Sequence, residues 1–225
     1  MNISVIIPAL NEDKSIGWTL EALGSLLPDE IIVVDGGSTD RTRTIARQKG
    51  ALLISAPCGR ALQMNRGAEA ARGDVLLFLH ADTQLPASAL RDVRSALSDP
   101  RCVGGRFDVR LDGGRRIFDL IGYLISLRSR WTKVATGDQA IFVRRDVFQE
   151  MGGFPEIPLM EDIAFSRSLK RKGTVACLKS TVLTSTRRWE GDGVWRTVLR
   201  MWVLRLLFLS GVSPFQLKRF YGDSR

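Results

Sequence analysis

Residues 75–82 read VLLFLHAD, a run of five apolar residues that passes directly into His80 and Asp82. A short, continuous apolar run is typical of a β-strand that is covered on both faces, as in a parallel sheet. Similar runs occupy residues 3–8, 31–35 and 52–56, and helical stretches separate the runs at a spacing of about 25 residues, which is typical of βαβ units. The sequence therefore predicts a mostly parallel, doubly wound α/β sheet flanked by helices, with His80 and Asp82 at a strand end.

The rest of the chain reads as a continuation of the same sheet. We predict further strands at residues 103–109, 139–143 and 175–178, and helices at residues 13–26, 39–49, 59–71, 86–97 and 160–172. Ser38 or Thr39 is expected to cap the helix at residues 39–49, and Gly50 to end it. Residues 1–95 then form a nucleotide-binding half and residues 100–190 a mixed α/β half, with residues 191–225 as a C-terminal helical extension.

Residues 195–209 read WRTVLRMWVLRLLFL, an apolar segment that Arg196, Arg200 and Arg205 interrupt. We predict an amphipathic helix that is too short and too charged to cross a bilayer, which needs about 20 apolar residues. Two interpretations stay open for residues 194–209: the helix packs on the domain, or it lies in a membrane interface with tryptophans and basic residues as anchors. Residues 117–127 form a second apolar segment that would extend the same patch.

Charge is distributed unevenly along the chain. Residues 1–100 carry 10 Lys and Arg against 12 Asp and Glu, whereas residues 101–225 carry 23 against 12. This basic excess indicates an anionic partner or surface, or else a solvated basic face. The basic residues are scattered and form no nucleic-acid-binding motif, so we expect no nucleic-acid partner. We expect the three widely spaced cysteines to be free thiols, and the N-terminus to be a strand rather than a signal peptide. Both features predict a cytoplasmic protein. If residues 194–209 bind the membrane, the protein would be peripheral on its inner face.

Polar residues cluster where the predicted strands end, at the edge of an open α/β sheet that binds ligands. Asp35, which two glycines follow, is placed to accept a hydrogen bond from a base or a ribose. Asp82 beside a diphosphate would require a cation, and Mg²⁺ or Mn²⁺ is the simplest bridge. His80 points to the same side of the strand and is either a second metal ligand or a hydrogen-bonding residue. The first strand is followed by neither G-x-G-x-x-G nor a P-loop, which disfavours dehydrogenases and P-loop enzymes.

Five short motifs lie along the chain: PALNE at residues 8–12, VVDGGSTD at 33–40, Asn65-x-Gly67, LLFLHADT at 76–83, and Met160-Glu161-Asp162. As a set they resemble the family 2 glycosyltransferases of the GT-A fold over residues 2–190. The resemblance implies transfer of a sugar, with inversion, from a nucleotide diphosphate sugar, expected to be uridine-linked, to a hydroxyl acceptor. It places His80-x-Asp82 where the family has Asp-x-Asp. Asp82 would then bind Mn²⁺ or Mg²⁺, while the role of His80 stays open.

The resemblance also assigns site residues. The nucleotide-sugar site would contain Pro8, Ala9, Asn11, Glu12, Asp35, Arg60, Asn65 and Ala81. The diphosphate and acceptor region, within an acceptor half at residues 100–190, would contain Gly137, Asp138, Gln139, Arg188 and Trp189. Glu161 and Asp162 match the family's catalytic pair, with Asp162 as the general base. A carboxylate at a helix N-terminus stays ionised, as a base requires, although helix capping alone is an alternative.

Other functions stay open beside the leading one. The stretch GRALQMNRG at residues 59–67, with LLFLHADT, resembles a small bacterial subgroup associated with arsenosugar biosynthesis. A sugar nucleotidyltransferase has a similar metal site at the sheet edge, but it normally carries a glycine-rich basic loop where this chain has PALNE. A non-catalytic protein that binds carbohydrate at a membrane surface would suit the basic second half, and it would hydrolyse no donor.

Overall fold

The predicted strands all belong to one eight-stranded sheet in the computed structural model, which describes residues 1–221 apart from the side chains of Arg188, Asp192, Phe220 and Tyr221. The strands are β1 (Ile3–Ala9), β2 (Glu30–Asp35), β3 (Leu52–Ser55), β4 (Val75–Phe78), β5 (Thr83–Gln84), β6 (Cys102–Asp112), β7 (Ile141–Arg144) and β8 (Thr174–Ser185). Their order is β3-β2-β1-β4-β7-β6-β8-β5. The first four are mutually parallel, so β1, β2 and β4 end at the same edge.

Helices cover both faces of this sheet, as the sequence predicts. They are α1 (Ile16–Gly24), α2 (Thr42–Gln48), α3 (Arg60–Ala70), α4 (Ala89–Ala96), α5 (Arg116–Thr132), α6 (Arg145–Glu150), α7 (Glu161–Leu169), α8 (Arg187–Asp192), α9 (Val194–Leu209) and α10 (Pro214–Tyr221), with a 3₁₀ turn at Gly137–Gln139. Successive side chains of a strand point to opposite faces. Val5 of β1 therefore packs in one core cluster with α1 and α4, and Ile6 in the other with α3, α6 and α7.

The start of α2 differs from the prediction. The structure shows that neither Ser38 nor Thr39 is its N-cap, because both contact Asn11 instead. The Asn11 N–H donates to the Ser38 hydroxyl, and the Thr39 N–H donates to the Asn11 side-chain oxygen, both at 2.9 Å. Asp40 accepts the N–H of Thr42, also at 2.9 Å. These bonds join the loops that follow β1 and β2 at the ligand-binding edge of the sheet.

Strands in the second half extend beyond their apolar segments. β6 has 11 residues and β8 has 12, against predictions of residues 103–109 and 175–178. The two strands pair in parallel as far as Asp112 and Ser185, where exposed residues alternate with buried ones. The two-residue β5, which the sequence did not predict, pairs with β8. Hydrogen bonding to a neighbouring strand, rather than local hydrophobicity, determines these ends.

Gly67 allows α3 to lie unusually close to the sheet. A methyl group at this position would clash with the side chain of Ile6 and lie 2.9 Å from the Val34 side chain. Close approach lets Gln63, one turn earlier, donate hydrogen bonds to the carbonyls of Ala9 and Val34, both at 2.8 Å. The small residue of the Asn65-x-Gly67 motif therefore fixes the position of α3 relative to the strand ends.

The C-terminal helix α9 packs on the domain, as one of the two interpretations predicts. Its partly buried side carries Val198 and Met201, which contact a third core cluster. That cluster consists of Leu111, Phe118, Ile121 and Trp189. Within residues 1–221, we find no helix that is both long and apolar enough to cross a membrane.

Candidate active site

A cavity of about 650 Å³ opens at the edge where β1 and β4 end. Its walls also include the 3₁₀ turn, the start of α7 and the inner sides of α5 and α9. Thirteen of the predicted site residues line it: Pro8, Ala9, Asn11, Glu12, Arg60, His80, Ala81, Asp82, Gly137, Asp138, Glu161, Asp162 and Trp189. The structure therefore brings both halves of the predicted site into one space.

Glu12 connects the two sides of the cavity. Its carboxylate accepts a hydrogen bond from Arg187 of α8 at 2.7 Å, although the two residues lie far apart in the sequence. The bond to Glu12 raises the pKa of Arg187 above its ordinary value, and the negative charge of Asp82 contributes to this rise. The loop after β1 is thereby held to the segment after β8, and a positive charge lies near Asp82.

Three predicted site residues lie outside this cavity. Asp35 is buried, and its carboxylate accepts the N–H groups of Gly37 and Ser38 at 3.2 Å, which is a turn-stabilising arrangement. The amide of Asn65 bonds to both the N–H and the carbonyl of Phe154, at 2.8 and 2.9 Å. The amide of Gln139 is buried and donates to Ser129 at 2.9 Å. The side chain of Arg188, also predicted here, lies outside the described residues.

The internal hydrogen bonds of these three residues have a common physical reason, and their roles in ligand binding stay predictions. An Asp, Asn or Gln near a strand end has the same donors and acceptors whether it binds a ligand or a nearby backbone group. The sequence shows the residue type, but the identity of its partner depends on which backbone groups the fold brings within about 3 Å. In this structure those partners are backbone or buried hydroxyl groups.

His80 and Asp82 line the cavity from the end of β4. His80 packs against Gly137, where an added methyl group would lie 2.6 Å from the imidazole Nε2 atom. Among residues 1–221, no three His, Cys, Asp or Glu side chains lie together in an arrangement that could hold a metal ion. The residues present suit a Mg²⁺- or Mn²⁺-type site in which one or two side chains bind the ion and substrate phosphates complete the coordination.

Glu161 begins α7 and is buried against Arg60. The Arg60 guanidinium donates to the Glu161 carboxylate at 3.2 Å, across the boundary between the two halves of the sheet. Burial raises the pKa of Glu161, while the positive charge of Arg60 opposes this shift and the negative charge of Asp162 adds to it. An ion pair that is this buried holds α7 to α3, so Glu161 has a structural contact whether or not it contacts substrate.

Asp162 lines the cavity, as Glu161 does, and it is the less buried of the two residues. One of its oxygens accepts the N–H of Gly137 at 2.7 Å, and the other accepts the N–H of Ile163 at 2.7 Å. Two backbone donors fix the orientation of the carboxylate at the helix N-terminus, where the helix dipole favours negative charge. An oriented carboxylate on a cavity wall is placed to accept a proton from a bound hydroxyl group.

Known proteins resemble this chain in both sequence and fold. The sequence profile of the family described as "Glycosyl transferase family 2" matches residues 4–153. The chain belongs to glycosyl transferase family 2. Glucosyl-3-phosphoglycerate synthase of Mycolicibacterium smegmatis is 30% identical over 154 residues, which cover 56% of this chain and 50% of that protein. The probable glycosyltransferase YdaM of Bacillus subtilis is 27% identical over 98% of this chain and 60% of its own length. The chain thus spans about half the length of these curated relatives.

Solved structures of similar shape show the GT-A fold. The chain matches glucosyl-3-phosphoglycerate synthase from Mycobacterium tuberculosis in complex with Mn²⁺, UDP and phosphoglyceric acid with a TM-score of 0.66 and 23% identity, over 94% of this chain and 79% of that one. It matches the mannosyltransferase PcManGT from Pyrobaculum calidifontis, in complex with GDP-Man and Mn²⁺, with a TM-score of 0.64 and 23% identity, over 81% and 56% of the two chains. At these identities the likeness establishes the fold.

The residues that line the cavity without having been predicted as site residues include Gln63, Arg128, Arg187 and Arg205. Arg205 lies on α9 within its apolar segment, and Arg128 lies on α5 directly after the apolar segment at residues 117–127. An arginine inside an apolar helical segment was the available signal, because a charged residue in such a position needs a reason to be there.

Proposed function

We propose that this chain transfers a sugar from a nucleotide diphosphate sugar to a hydroxyl group of an acceptor, with inversion at the anomeric carbon. One observation carries the proposal: Asp82 and the oriented carboxylate of Asp162 line the same cavity in a family 2 chain. The acceptor hydroxyl would lose its proton to Asp162 as its oxygen attacks the anomeric carbon. The bond from that carbon to the diphosphate would break on the opposite side, and the nucleoside diphosphate would leave.

The donor would lie along the loop after β1. Pro8, Ala9, Asn11 and Glu12 form that wall of the cavity, next to Ala81 and Asp82. Arg187, which lies near Asp82, adds positive charge where the diphosphate would bind. UDP is the nucleotide named in the complex of the Mycobacterium tuberculosis synthase, and a uridine-linked donor is the one that we propose here.

Asp82 would hold Mn²⁺ or Mg²⁺ together with the diphosphate, and His80 lies close enough on the same strand end to assist. A bound divalent cation would offset the negative charge that develops on the leaving diphosphate. Mn²⁺ is named in the complexes of both structural relatives described above. The assignment to the subgroup associated with arsenosugar biosynthesis stays a prediction, and the acceptor remains to be identified.

Thermal unfolding in the presence of nucleotides tests the proposed donor. We expect UDP-sugars with Mn²⁺ to stabilise the protein by about 2.7 kcal/mol at a ligand concentration of 100 times the dissociation constant. Removing Mn²⁺ with a chelator should reverse most of this effect, and GDP-mannose serves as the matched nucleotide control. If no nucleotide sugar changes the melting temperature with Mn²⁺ present, the chain is better explained as a non-catalytic binding protein. Stabilisation by nucleoside triphosphates alone would favour a nucleotidyltransferase.

We also propose that α9 lies against a membrane surface, with residues 194–209 as the contact. Its outward side is apolar, with Trp195 75% exposed and Leu199 66% exposed. On α5, Trp131 and Tyr123 are also exposed, so the two helices present one apolar surface in the basic half of the chain. Exposed aromatic and aliphatic residues together with an excess of basic charge suit an interface that contains anionic lipids. The exposed side chains of Leu124 and Trp202 also line the cavity, so this surface borders its opening.

Vesicle binding tests the membrane contact. Replacing Trp195 and Leu199 together by Gln removes exposed apolar area without changing charge. We expect at least about tenfold weaker binding to vesicles of phosphatidylcholine and phosphatidylglycerol at low salt, because burying such a side chain is worth about 1.5–3 kcal/mol. Co-sedimentation provides the measurement, and Leu27→Gln, at a position that is 82% exposed on the other half, is the control. Equal sedimentation of all three proteins would remove α9 from membrane binding.

A further inference from the structure

Two arginines from different helices line the acceptor side of the cavity. Arg128 comes from α5 and Arg205 from α9, and both line the same space as Asp162. They lie close enough to interact electrostatically: burial lowers the pKa of Arg128 to about 10, and the positive charge of Arg205 contributes to that shift. Burial also lowers the pKa of Arg205. Two partly buried cations that repel each other require an anion to offset their charge.

Each guanidinium has one buried nitrogen that the described part of the protein leaves without an acceptor, although a terminal nitrogen of Arg128 donates to the Thr136 hydroxyl at 3.5 Å. The Arg128 Nε atom and one Arg205 terminal nitrogen are buried and have no hydrogen-bond acceptor among residues 1–221. Other arginines around the cavity are paired: Arg60 with Glu161, and Arg187 with Glu12. A buried donor without an acceptor lowers the stability of the fold by about 1–3 kcal/mol, and by more when the group is charged. Such a group in a native structure therefore calls for an explanation, and binding of a ligand is one.

Nearby carboxylates do not form ion pairs with Arg128 or Arg205 in the described part of the chain. Asp138 and Asp162 are close enough to influence Arg128 electrostatically, but neither forms an ion pair within 4.0 Å with Arg128 or Arg205 in the part of the chain that the structure describes. Asp162 is held by Gly137 and Ile163 instead. Burial raises the pKa of the Asp138 carboxyl, which is partly buried in the cavity wall. Arg128 and Arg205 therefore line the cavity without an ion-pair partner among the described residues.

The orientation of α9 supports a role inside the cavity. A helix that packs for burial alone turns its apolar side inward and its arginines toward water. In α9 Leu199 and Leu206 are exposed and do not line the cavity, whereas Arg205 does. Arg196 on the same helix is exposed, so the helix has both kinds of position available for arginine. The inward placement of Arg205 opposite Arg128 points to a ligand with negative charge.

We propose that Arg128 and Arg205 form an anion-binding subsite that holds a phosphate or carboxylate group of the acceptor, beside Asp162. The inference rests on the proposed function and adds the chemical class of the acceptor to it. Planar guanidinium groups bind the paired oxygens of phosphate and carboxylate through two parallel hydrogen bonds, and this arrangement would satisfy the unpaired donors. The anion would orient the acceptor so that its hydroxyl lies at Asp162. A soluble phosphate ester and the headgroup of an anionic lipid present the same chemistry.

Binding of glycerol 3-phosphate, compared with glycerol, tests the subsite directly. The full chain is first saturated with UDP and Mg²⁺, so that the diphosphate region is filled, and the probe is then titrated at constant ionic strength by calorimetry. We expect glycerol 3-phosphate to bind and glycerol not to bind. Arg128→Gln and Arg205→Gln should each weaken the binding by about 10- to 100-fold, which corresponds to losing charge-assisted hydrogen bonds. Arg196→Gln, on the exposed side of α9, should bind as the unchanged protein does.

Two further measurements separate this role from a structural one and distinguish the sources of the anion. The melting temperatures of the two Gln variants should be unchanged or higher, because each substitution removes a buried, unsatisfied charge; a large decrease in both would indicate structural arginines. Should a Gln variant fail to fold, Arg128→Lys and Arg205→Lys keep the charge but lose the paired hydrogen bonds, and we expect about tenfold weaker binding. Vesicles of phosphatidylcholine with phosphatidic acid replace the soluble probe in a parallel titration.

The possible outcomes are distinct. Arginine-dependent binding of glycerol 3-phosphate supports a soluble phosphorylated acceptor. Arginine-dependent binding of the phosphatidic acid vesicles alone, with Arg196→Gln unaffected, supports a lipid headgroup. If neither probe distinguishes the Gln variants from Arg196→Gln, the subsite is overturned while UDP binding still supports the proposed transferase. If UDP itself fails to bind to the unchanged protein, the proposed function fails, and with it the assignment of this subsite to an acceptor.

Discussion

Replacing Asp162 by Asn should lower the rate of sugar transfer by about 10²- to 10⁴-fold while the dissociation constant of the donor stays nearly the same. The expected loss corresponds to about 3–5 kcal/mol of transition-state stabilisation. Asn keeps the shape of Asp, and its side-chain oxygen can still accept the N–H of Gly137, which bonds to Asp162 at 2.7 Å. The variant therefore loses the proton-accepting group while its local structure is preserved. Transfer rate and donor affinity, measured on the same preparation, check the prediction.

Glu161→Gln is the matched control, because it neutralises the adjacent carboxylate. Consecutive residues of a helix point about 100° apart, so Glu161 and Asp162 cannot have the same role. Glu161 bonds to Arg60, and Asp162 faces the cavity next to Gly137. We expect Glu161→Gln to lose less activity than Asp162→Asn and to lose some stability, since Arg60 keeps its charge without its partner. An inactive Glu161→Gln variant beside an active Asp162→Asn variant would reverse the assignment of the base.

Replacing Asp82 by Asn should abolish the Mn²⁺-dependent part of donor binding. Asp82 is the carboxylate at the end of β4 that lines the cavity, and the described residues offer few other metal ligands near it. Loss of an outer-shell partner costs about 10- to 100-fold in metal affinity. Loss of a side chain that binds the metal directly should therefore weaken metal-dependent donor binding by at least about 100-fold. Calorimetric titration of the donor with Mn²⁺ and with a chelator measures the difference between the two affinities.

His80→Asp is the informative companion variant. It converts His80-x-Asp82 to the Asp-x-Asp of the family, and a second carboxylate suits a hard cation better than imidazole does. We expect Mn²⁺-dependent donor binding to be retained or improved. The Asp side chain is smaller than the imidazole ring that packs against Gly137, so the substitution introduces no clash there. Undiminished Mn²⁺-dependent binding by Asp82→Asn would refute the metal assignment whatever His80→Asp does.

The sequence alone was sufficient where a short-range pattern has one structural solution. Apolar runs that recur between helices can bury both faces only in a parallel sheet, and parallel strands place their ends at one edge. For that reason the residues after β1 and β4 were expected to lie together, and Asn11 and Asp82 line one cavity in the structure. The pair Glu161 and Asp162 was likewise expected at a helix start, where α7 begins.

Tertiary structure decided whatever depends on partners distant in the sequence. The amide of Asn65 bonds to backbone groups of Phe154 that only the folded chain brings near it. The ends of β6 and β8 depend on strand pairing rather than on local hydrophobicity. Arg128 and Arg205 are 77 positions apart by residue number, and Arg205 belongs to a segment that reads as apolar, yet they line one cavity because α5 and α9 pack over the same core cluster. Sequence periodicity indicates which side of a helix is apolar, but only the packing of one helix beside another determines which charges meet, since electrostatic interaction depends on distance in space and not along the chain.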